Sequence, residues 1–353
     1  MVFLIDVTGT CNLRCPSCPV GNFKEKLNEQ RVKGFMPLDY FYRVIEKIKK
    51  ECPTPPPPSI HLYNWGESLI HPQIENILKH LHDENISFTL SSNLNVKKDL
   101  SFLIDSQPDY IRVSVSGFYQ EMYKKYHKGG NIELVKNNLI QLRKIMDEKK
   151  INVFVYIFYL IYKDNCDENI LKMYEFCQEL NFGFFTGLAY LMPLENMIYA
   201  MQDENLLSAA DKEILNSLCF TPKECFEFSQ NVDIGKTCEL LEHQVVINFD
   251  GSVPLCCAVY EPQFCRVVDD FLQYDLAQIQ QRRRAQPLCR LCVENKLNAM
   301  VLQAPMNVYN RQLRRKQLEN ATRWPVPYLV DLQLFNGKFL KTPFYPNPAF
   351  KKE

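Results

Sequence analysis

Val2-Phe3-Leu4-Ile5-Asp6-Val7-Thr8-Gly9-Thr10-Cys11-Asn12-Leu13-Arg14-Cys15-Pro16-Ser17-Cys18 opens the chain with an apolar run and then places three cysteines within eight residues. The run 2–7 reads as a strand. Working outward, short apolar runs alternate with longer amphipathic segments. A helix is predicted over 38–50, with Tyr40, Phe41, Val44, Ile45 and Ile48 on one face. Strands follow over 59–63, 86–90, 110–115, 151–161 and 182–188, and helices over 72–84, 98–106, 132–149 and 168–180. Sequential strand–helix units imply a parallel sheet. Six that curve without closing give an α/β fold, a partial TIM-like (β/α)6 barrel. Prolines at 53 and 55–58 mark a stiff surface connection.

Past about residue 200 the pattern changes. Helical segments near 204–218 lead into a cysteine-bearing region from Cys219 to Cys292. Within it, 244–249 and 253–255 flank Asp250-Gly251, a turn signal that predicts a hairpin. Residues 301–353 hold no cysteine, and Pro325, Pro327, Pro343, Pro346 and Pro348 suggest a wrapping tail. The expected organisation is a barrel over 1–200, a small cysteine-rich domain over 201–300 and a tail over 301–353.

The 353 residues carry 41 basic and 41 acidic side chains, so bulk charge offers nucleic acid nothing. The runs Arg282-Arg283-Arg284 and Arg311, Arg314, Arg315, Lys316 could bind phosphate or RNA, but with zero net charge solvated helix faces are the preferred reading. The longest uncharged apolar stretches, 151–162 and 182–194, fall short of the roughly 20 residues a bilayer needs. The start lacks the basic segment of a secretory signal, so a reducing cytoplasm is expected and no membrane partner. There, 14 cysteines point to metal or catalysis rather than disulfides.

Cys11-x3-Cys15-x2-Cys18 can wrap three corners of a 4Fe–4S cube and leave one iron open. Zinc is the alternative, although structural zinc sites pair x2 spacings and complete four ligands. The second set is Cys238-x17-Cys256, with Gly251 five positions before Cys256, and then Cys289-x2-Cys292. Four thiolates complete a cluster; a four-cysteine zinc ribbon is again the alternative.

Cys11-x3-Cys15-x2-Cys18 after the first strand resembles the signature of the radical S-adenosylmethionine (SAM) superfamily. The resemblance implies that the open iron chelates SAM and that reductive cleavage yields a hydrogen-abstracting 5′-deoxyadenosyl radical. Ser17 departs from the aromatic residue often found there. Tyr63-Asn64-Trp65-Gly66-Glu67-Ser68 is similar to the family's Gly-Gly-Glu segment, with Trp65 replacing the first glycine. By that resemblance Glu67 and nearby backbone carbonyls hold the methionine ammonium, and Gly66 permits the close backbone approach. Ser91-Ser92-Asn93 and Ser114-Val115-Ser116-Gly117 resemble segments that bind ribose and methionine carboxylate, and Lys128 could pair with that carboxylate. Helix capping by Ser and Asn, and a solvated Lys128, are the plainer alternatives.

The element Gly-x4-Cys and the final Cys-x2-Cys resemble the SPASM/twitch extension of this superfamily. That implies one auxiliary 4Fe–4S cluster on Cys238, Cys256, Cys289 and Cys292. Cys257 is expected on the opposite face from Cys256, where it could replace that ligand or donate a hydrogen atom; Cys225 and Cys265 are rivals. Cys52, Cys166, Cys177 and Cys219 read as packed thiols. His61 and His71 are assigned to no metal. The expected substrate is a small molecule (sugar, cyclitol or nucleoside), because the first strand begins at residue 2 and leaves no peptide-recognition domain before it. A ribosomal peptide is the second substrate, and a non-catalytic metal-binding scaffold is the reading from another class. Flavodoxin or ferredoxin would be the electron donor.

Overall fold

The computed structural model describes residues 1–21, 33–166, 168–231 and 237–302, and beyond them the strands Leu334–Phe335 and Lys338–Phe339. The expected wrapping tail and the basic cluster at 311–316 thus lie largely outside the described residues. Strand β1 (Val2–Ile5) leads to helix α1 (Leu38–Glu51) and β2 (Ser59–Leu62). Next come α2 (Ile74–Asp83), β3 (Phe88–Ser92), α3 (Ser101–Asp105), β4 (Tyr110–Val115), α4 (Gln120–Tyr126) and α5 (Ile132–Lys149). The barrel continues with β5 (Phe154–Ile161), α6 (Glu168–Glu179) and β6 (Gly183–Leu188). Then follow α7 (Leu194–Gln202), α8 (Ala209–Ser217), α9 (Pro222–Gln230), α10 (Glu239–His243) and β7 (Gln244–Ile247). The described helices end with α11 (Pro262–Cys265), α12 (Leu276–Arg284), α13 (Pro287–Glu294) and α14 (Leu297–Val301).

Seven strands form one parallel sheet in the order β6-β5-β4-β3-β2-β1-β7, a partial TIM-like barrel. The predicted hairpin does not form. Gln244–Ile247 is buried throughout and pairs parallel with β1, Val2 opposite Gln244. A continuous apolar run with no exposed face suits a parallel strand better than a hairpin arm. It also covers the edge that β1 would otherwise leave open. The Asp250-Gly251 turn is real, with Gly251 at φ +83 and its N–H donating to the Asn248 carbonyl. The chain returns from it to bridge Val253 with Val268 instead.

The helical faces follow the apolar spacing. Phe41, Val44, Ile45 and Ile48 of α1 and Ile74, Ile77, Leu78 and Leu81 of α2 are buried against the sheet. On β4, Ile111, Val113 and Val115 are buried, while Tyr110, Arg112 and Ser114 alternate with them and are half-buried. Period two sends that second set to the concave side. There Tyr156, Phe158 and Phe185 form a small cluster packed against Tyr110, Phe154 and Leu160, which floors the barrel. No helix among the described residues is long and apolar enough to cross a membrane.

The basic run on α12 departs from expectation. Arg284 pairs with Glu242 at the surface and Arg282 lies 4.6 Å over the Tyr274 ring, but Arg283 is fully buried. An Asp275–Gln278 capping box starts this helix and fixes its rotation. Leu276, Ile279 and Arg283 then fall on one stripe, and the stripe faces inward.

Helix α7 fastens the cysteine-rich region to the barrel through Glu195, which is 1% exposed. One carboxylate oxygen accepts the Tyr260 and Glu261 N–H groups at 2.8 and 2.9 Å, and the other is buried with no hydrogen-bond partner among the described residues. Burial pushes its pKa up from 4.5 to about 7, against the pull of these N–H donors. The folded state therefore holds this proton more tightly than the unfolded chain. Its contribution is fully present at low pH and is lost as pH rises from about 4.5 to about 7, by at most about 3 kcal/mol. Urea titrations across that window should show Glu195→Gln losing this part of the slope; curves parallel to wild type would refute the assignment.

Candidate functional site

Asp6 sets the mouth of the barrel. Its carboxylate accepts the Trp65 N–H at 3.0 Å and the Gly66 N–H at 3.2 Å, which ties the end of β1 to the loop after β2. The strand ends approach so closely that a Cβ on Gly66 would lie 1.9 Å from the Thr8 carbonyl oxygen. Only glycine fits. Thr8 Oγ1 is buried beside it with no partner among the described residues.

Glu67 is 3% exposed and acts as a clamp. Its carboxylate accepts the Asn93 N–H at 2.7 Å and the Leu69 N–H at 3.1 Å, and also bonds the Ser92 hydroxyl. Its own N–H donates to the Thr10 carbonyl at 3.0 Å, just before the first cysteine. Burial raises its pKa, and the three donors oppose that shift. Asn93 reaches over the cysteine loop: its amide nitrogen donates to Asn12 Oδ1 at 2.9 Å and lies 3.6 Å from Cys11 Sγ. The predicted residues Gly66, Glu67, Ser92 and Asn93 thus meet around Cys11.

Cys11, Cys15 and Cys18 are half-buried. Burial first, then Glu67, pushes the Cys11 thiol up to about 12. Cys15 is likewise raised by burial and by Cys18 and Cys11, so the three sulfurs sit within one electrostatic neighbourhood. Among the described residues, no three ligating side chains are gathered tightly enough for a single metal ion.

Ser17 hydrogen-bonds Tyr162 at 2.8 Å, and Tyr162 stacks on Tyr126 with ring centroids 3.6 Å apart. The aromatic surface that the cysteine loop lacks at Ser17 is present beside it, at the end of β5. Ser114 lies on the concave face, and its backbone bonds the buried His127 ring. Lys128 is exposed and stands apart, lining with Arg14, Lys125 and Tyr126 a separate recess of about 260 Å³.

A larger cavity of about 320 Å³ runs from Ser17 and Cys18, over His61, Tyr63, Arg112 and Phe158, to Cys257 and Ala258. Arg112 lies 4.4 Å over the Tyr63 ring and donates from Nε to Ser91 Oγ at 2.9 Å. Burial, and then Arg112, hold His61 well below its usual range, at about 3. The indole of Trp65 donates to the Val259 carbonyl at 3.1 Å, which connects the barrel mouth to the loop after Cys257. Sequence reading missed Arg112, Trp65 as a tether, and Tyr162. His71 serves structure, its Nε2 bonding the Met36 carbonyl.

Cys238, Cys256, Cys289 and Cys292 line one small apolar recess with Leu194, Leu255 and Val301. Cys257 opens instead onto the large cavity. Cys166, Cys177, Cys219 and Cys225 are buried in the core, and Cys52 and Cys265 are half-buried away from both cavities. A test of the mouth geometry is Gly66→Ala, which should cost about 1–3 kcal/mol in chemical unfolding because Thr8 must move. Unchanged stability would mean that the strand ends are not packed as described.

The radical SAM superfamily profile matches residues 5–177. A protein named "Probable GTP 3',8-cyclase" from Methanococcus maripaludis strain C5 is 24% identical over 278 residues, covering 72% of this chain and 84% of that protein. Its counterpart from strain C7 is 31% identical over 147 residues, 39% of this chain and 43% of that one. Among solved structures, Streptococcus suis SuiB bound to S-adenosylmethionine superposes with a TM-score of 0.52 at 12% identity, covering 79% of this chain and 64% of SuiB. Native anSMEcpe with bound AdoMet gives 0.53 at 15%, covering 80% of this chain and 82% of that one. These superpositions speak for the fold. With the profile, the parallel partial barrel and the three-cysteine loop at its mouth in agreement, residues 5–177 form the radical SAM domain of an enzyme.

Proposed function

We propose that this enzyme abstracts hydrogen from a small molecule of sugar, cyclitol or nucleoside type, held in a cavity between a SAM-binding cluster and an auxiliary cluster. The observation that carries the reading is the 320 Å³ cavity lined by both Cys18 and Cys257. Its volume suits a compact ligand, and the name of the Methanococcus relatives favours a nucleotide within that class.

Cys11, Cys15 and Cys18 would hold the first 4Fe–4S cluster. Bound there with SAM and given one electron by a flavodoxin- or ferredoxin-type donor, the cluster supplies cleavage of a sulfonium C–S bond to methionine and a 5′-deoxyadenosyl radical. The protein's part is placement. Gly66 lets backbone approach the methionine end, Thr8 Oγ1 is an acceptor for its ammonium, and Glu67 adds negative charge while it holds the loop in register. Asn93, Ser92 and Ser114 offer polar contacts on the next two strands, and Tyr162 offers an aromatic face for adenine. Lys128, exposed in the neighbouring recess, is the weakest of the expected contacts. The apolar floor of the cavity excludes water that could compete for the radical.

Cys238, Cys256, Cys289 and Cys292 would hold the auxiliary cluster, because all four share one recess. Cys257 faces the substrate space and is positioned to give a hydrogen atom to a substrate radical. Anaerobic reconstitution should load about eight irons per chain. Dithionite and SAM should then release 5′-deoxyadenosine, and Cys18→Ala should abolish release. Zinc in place of iron, or release that survives the substitution, would overturn the cofactor assignment. Deuterium passing from a labelled nucleotide into deoxyadenosine would support the substrate class; transfer only from a peptide would refute it.

A further inference from the structure

Among the described residues, Arg283 is the largest fully buried side chain, and none of its hydrogen bonds there goes to a carboxylate. Nε donates to the Leu255 carbonyl at 2.8 Å. Nη1 donates to the Gln244 carbonyl at 2.7 Å, to Gln280 Oε1 at 2.9 Å and to the Leu241 carbonyl at 3.3 Å, and Nη2 to the Leu240 carbonyl at 3.3 Å. Every one of these acceptors is neutral. Carbonyl dipoles satisfy the guanidinium's hydrogen bonds and leave its charge uncompensated, and a lone buried charge is among the most destabilising groups a core can hold.

The position of those acceptors is informative. Leu255 immediately precedes Cys256, and Leu240 and Leu241 lie two and three residues after Cys238. One side chain therefore grips the backbone beside two of the four recess cysteines. It does so from α12, which runs directly into the helix carrying Cys289 and Cys292. Burial works against its charge, whereas Cys256, Cys289, Cys257 and Cys238 all favour it. Arg282 and Arg284, on either side, find ordinary surface partners.

We propose that Arg283 is the internal counter-cation of the auxiliary centre, offsetting the net negative charge that four thiolates leave on a 4Fe–4S cube and raising its reduction potential. The proposal rests on the auxiliary-cluster reading above. Net charge near a cluster is one of the protein's levers on its potential, and removal of a nearby cation makes electron uptake harder. Arg283 is thus a positioning and tuning residue that need not touch the substrate.

The test uses the full chain with Cys11, Cys15 and Cys18 replaced by alanine, so that only the auxiliary centre can load. Wild-type Arg283 in this background should bind about four irons. Arg283→Met should either lose that iron or shift the midpoint potential, read by redox titration with EPR, to more negative values; Arg283→Lys should restore loading. Iron-free protein with Arg283 intact would overturn the auxiliary centre and this role together. Loaded Arg283→Met with an unchanged potential would overturn the role alone. A second measurement guards against simple misfolding. With Cys238, Cys256, Cys289 and Cys292 all replaced by alanine, Arg283→Met should lower the melting temperature less than it does with the cysteines present, because only the backbone clamp is then lost. An equal drop in both backgrounds would make Arg283 a backbone clamp and nothing more.

Discussion

A buried carboxylate that three separate segments need is the constraint on which this site depends. Glu67 receives hydrogen bonds from the end of β3 and from the turn after β2, while its backbone holds the residue before the cysteine loop. Each donor offsets part of the cost of burying the charge. In return the carboxylate fixes how three strand ends sit relative to one another. Gly66 tightens the same junction by backbone contact with Thr8, and Asp6 closes it from β1. The cysteine loop is therefore placed by a rigid polar knot, and a cluster bound there would need little of its own binding energy to order the loop.

The second half of the chain solves a different problem. Its four recess cysteines arrive from three places, and no regular sheet joins them. Glu195 pins one loop to α7, Trp65 pins the same loop to the barrel mouth, and Arg283 pins two more backbone segments to α12. Polar side chains that bond to backbone carbonyls and amides take the part that strand pairing takes in the barrel. Such networks specify geometry more than they add stability.

Much of the barrel was legible because its signals are local. The spacing of Phe41, Val44, Ile45 and Ile48 marks a helix face whatever lies opposite, and the cysteines at 11, 15 and 18 need only their own loop. The pairing of the seventh strand was not, since Asp250-Gly251 announces a turn without saying which neighbour the preceding run will choose. The free edge of β1 made that choice. Tyr162 and Arg112 escaped because strand register, which no single segment contains, decides what faces the cavity. Arg283 was misread as one of three like charges. The signal was present: after the Asp275 cap it continues the inward stripe of Leu276 and Ile279. Lys128, placed by resemblance alone, stands exposed in a neighbouring recess.

The pairing of Val2 with Gln244 also has a temporal side. On the ribosome the first strand emerges with its cysteine loop long before its last neighbour is made, and it waits with one edge open. Contacts this distant in sequence form slowly, and an open apolar edge invites association with other chains meanwhile. The barrel reaches its final shape only after the cysteine-bearing half has been synthesised. Insertion of a cluster at the first loop would therefore have a natural order: inserted early it would sit in an unfinished, water-exposed mouth, and inserted late it would find β1 paired on both sides.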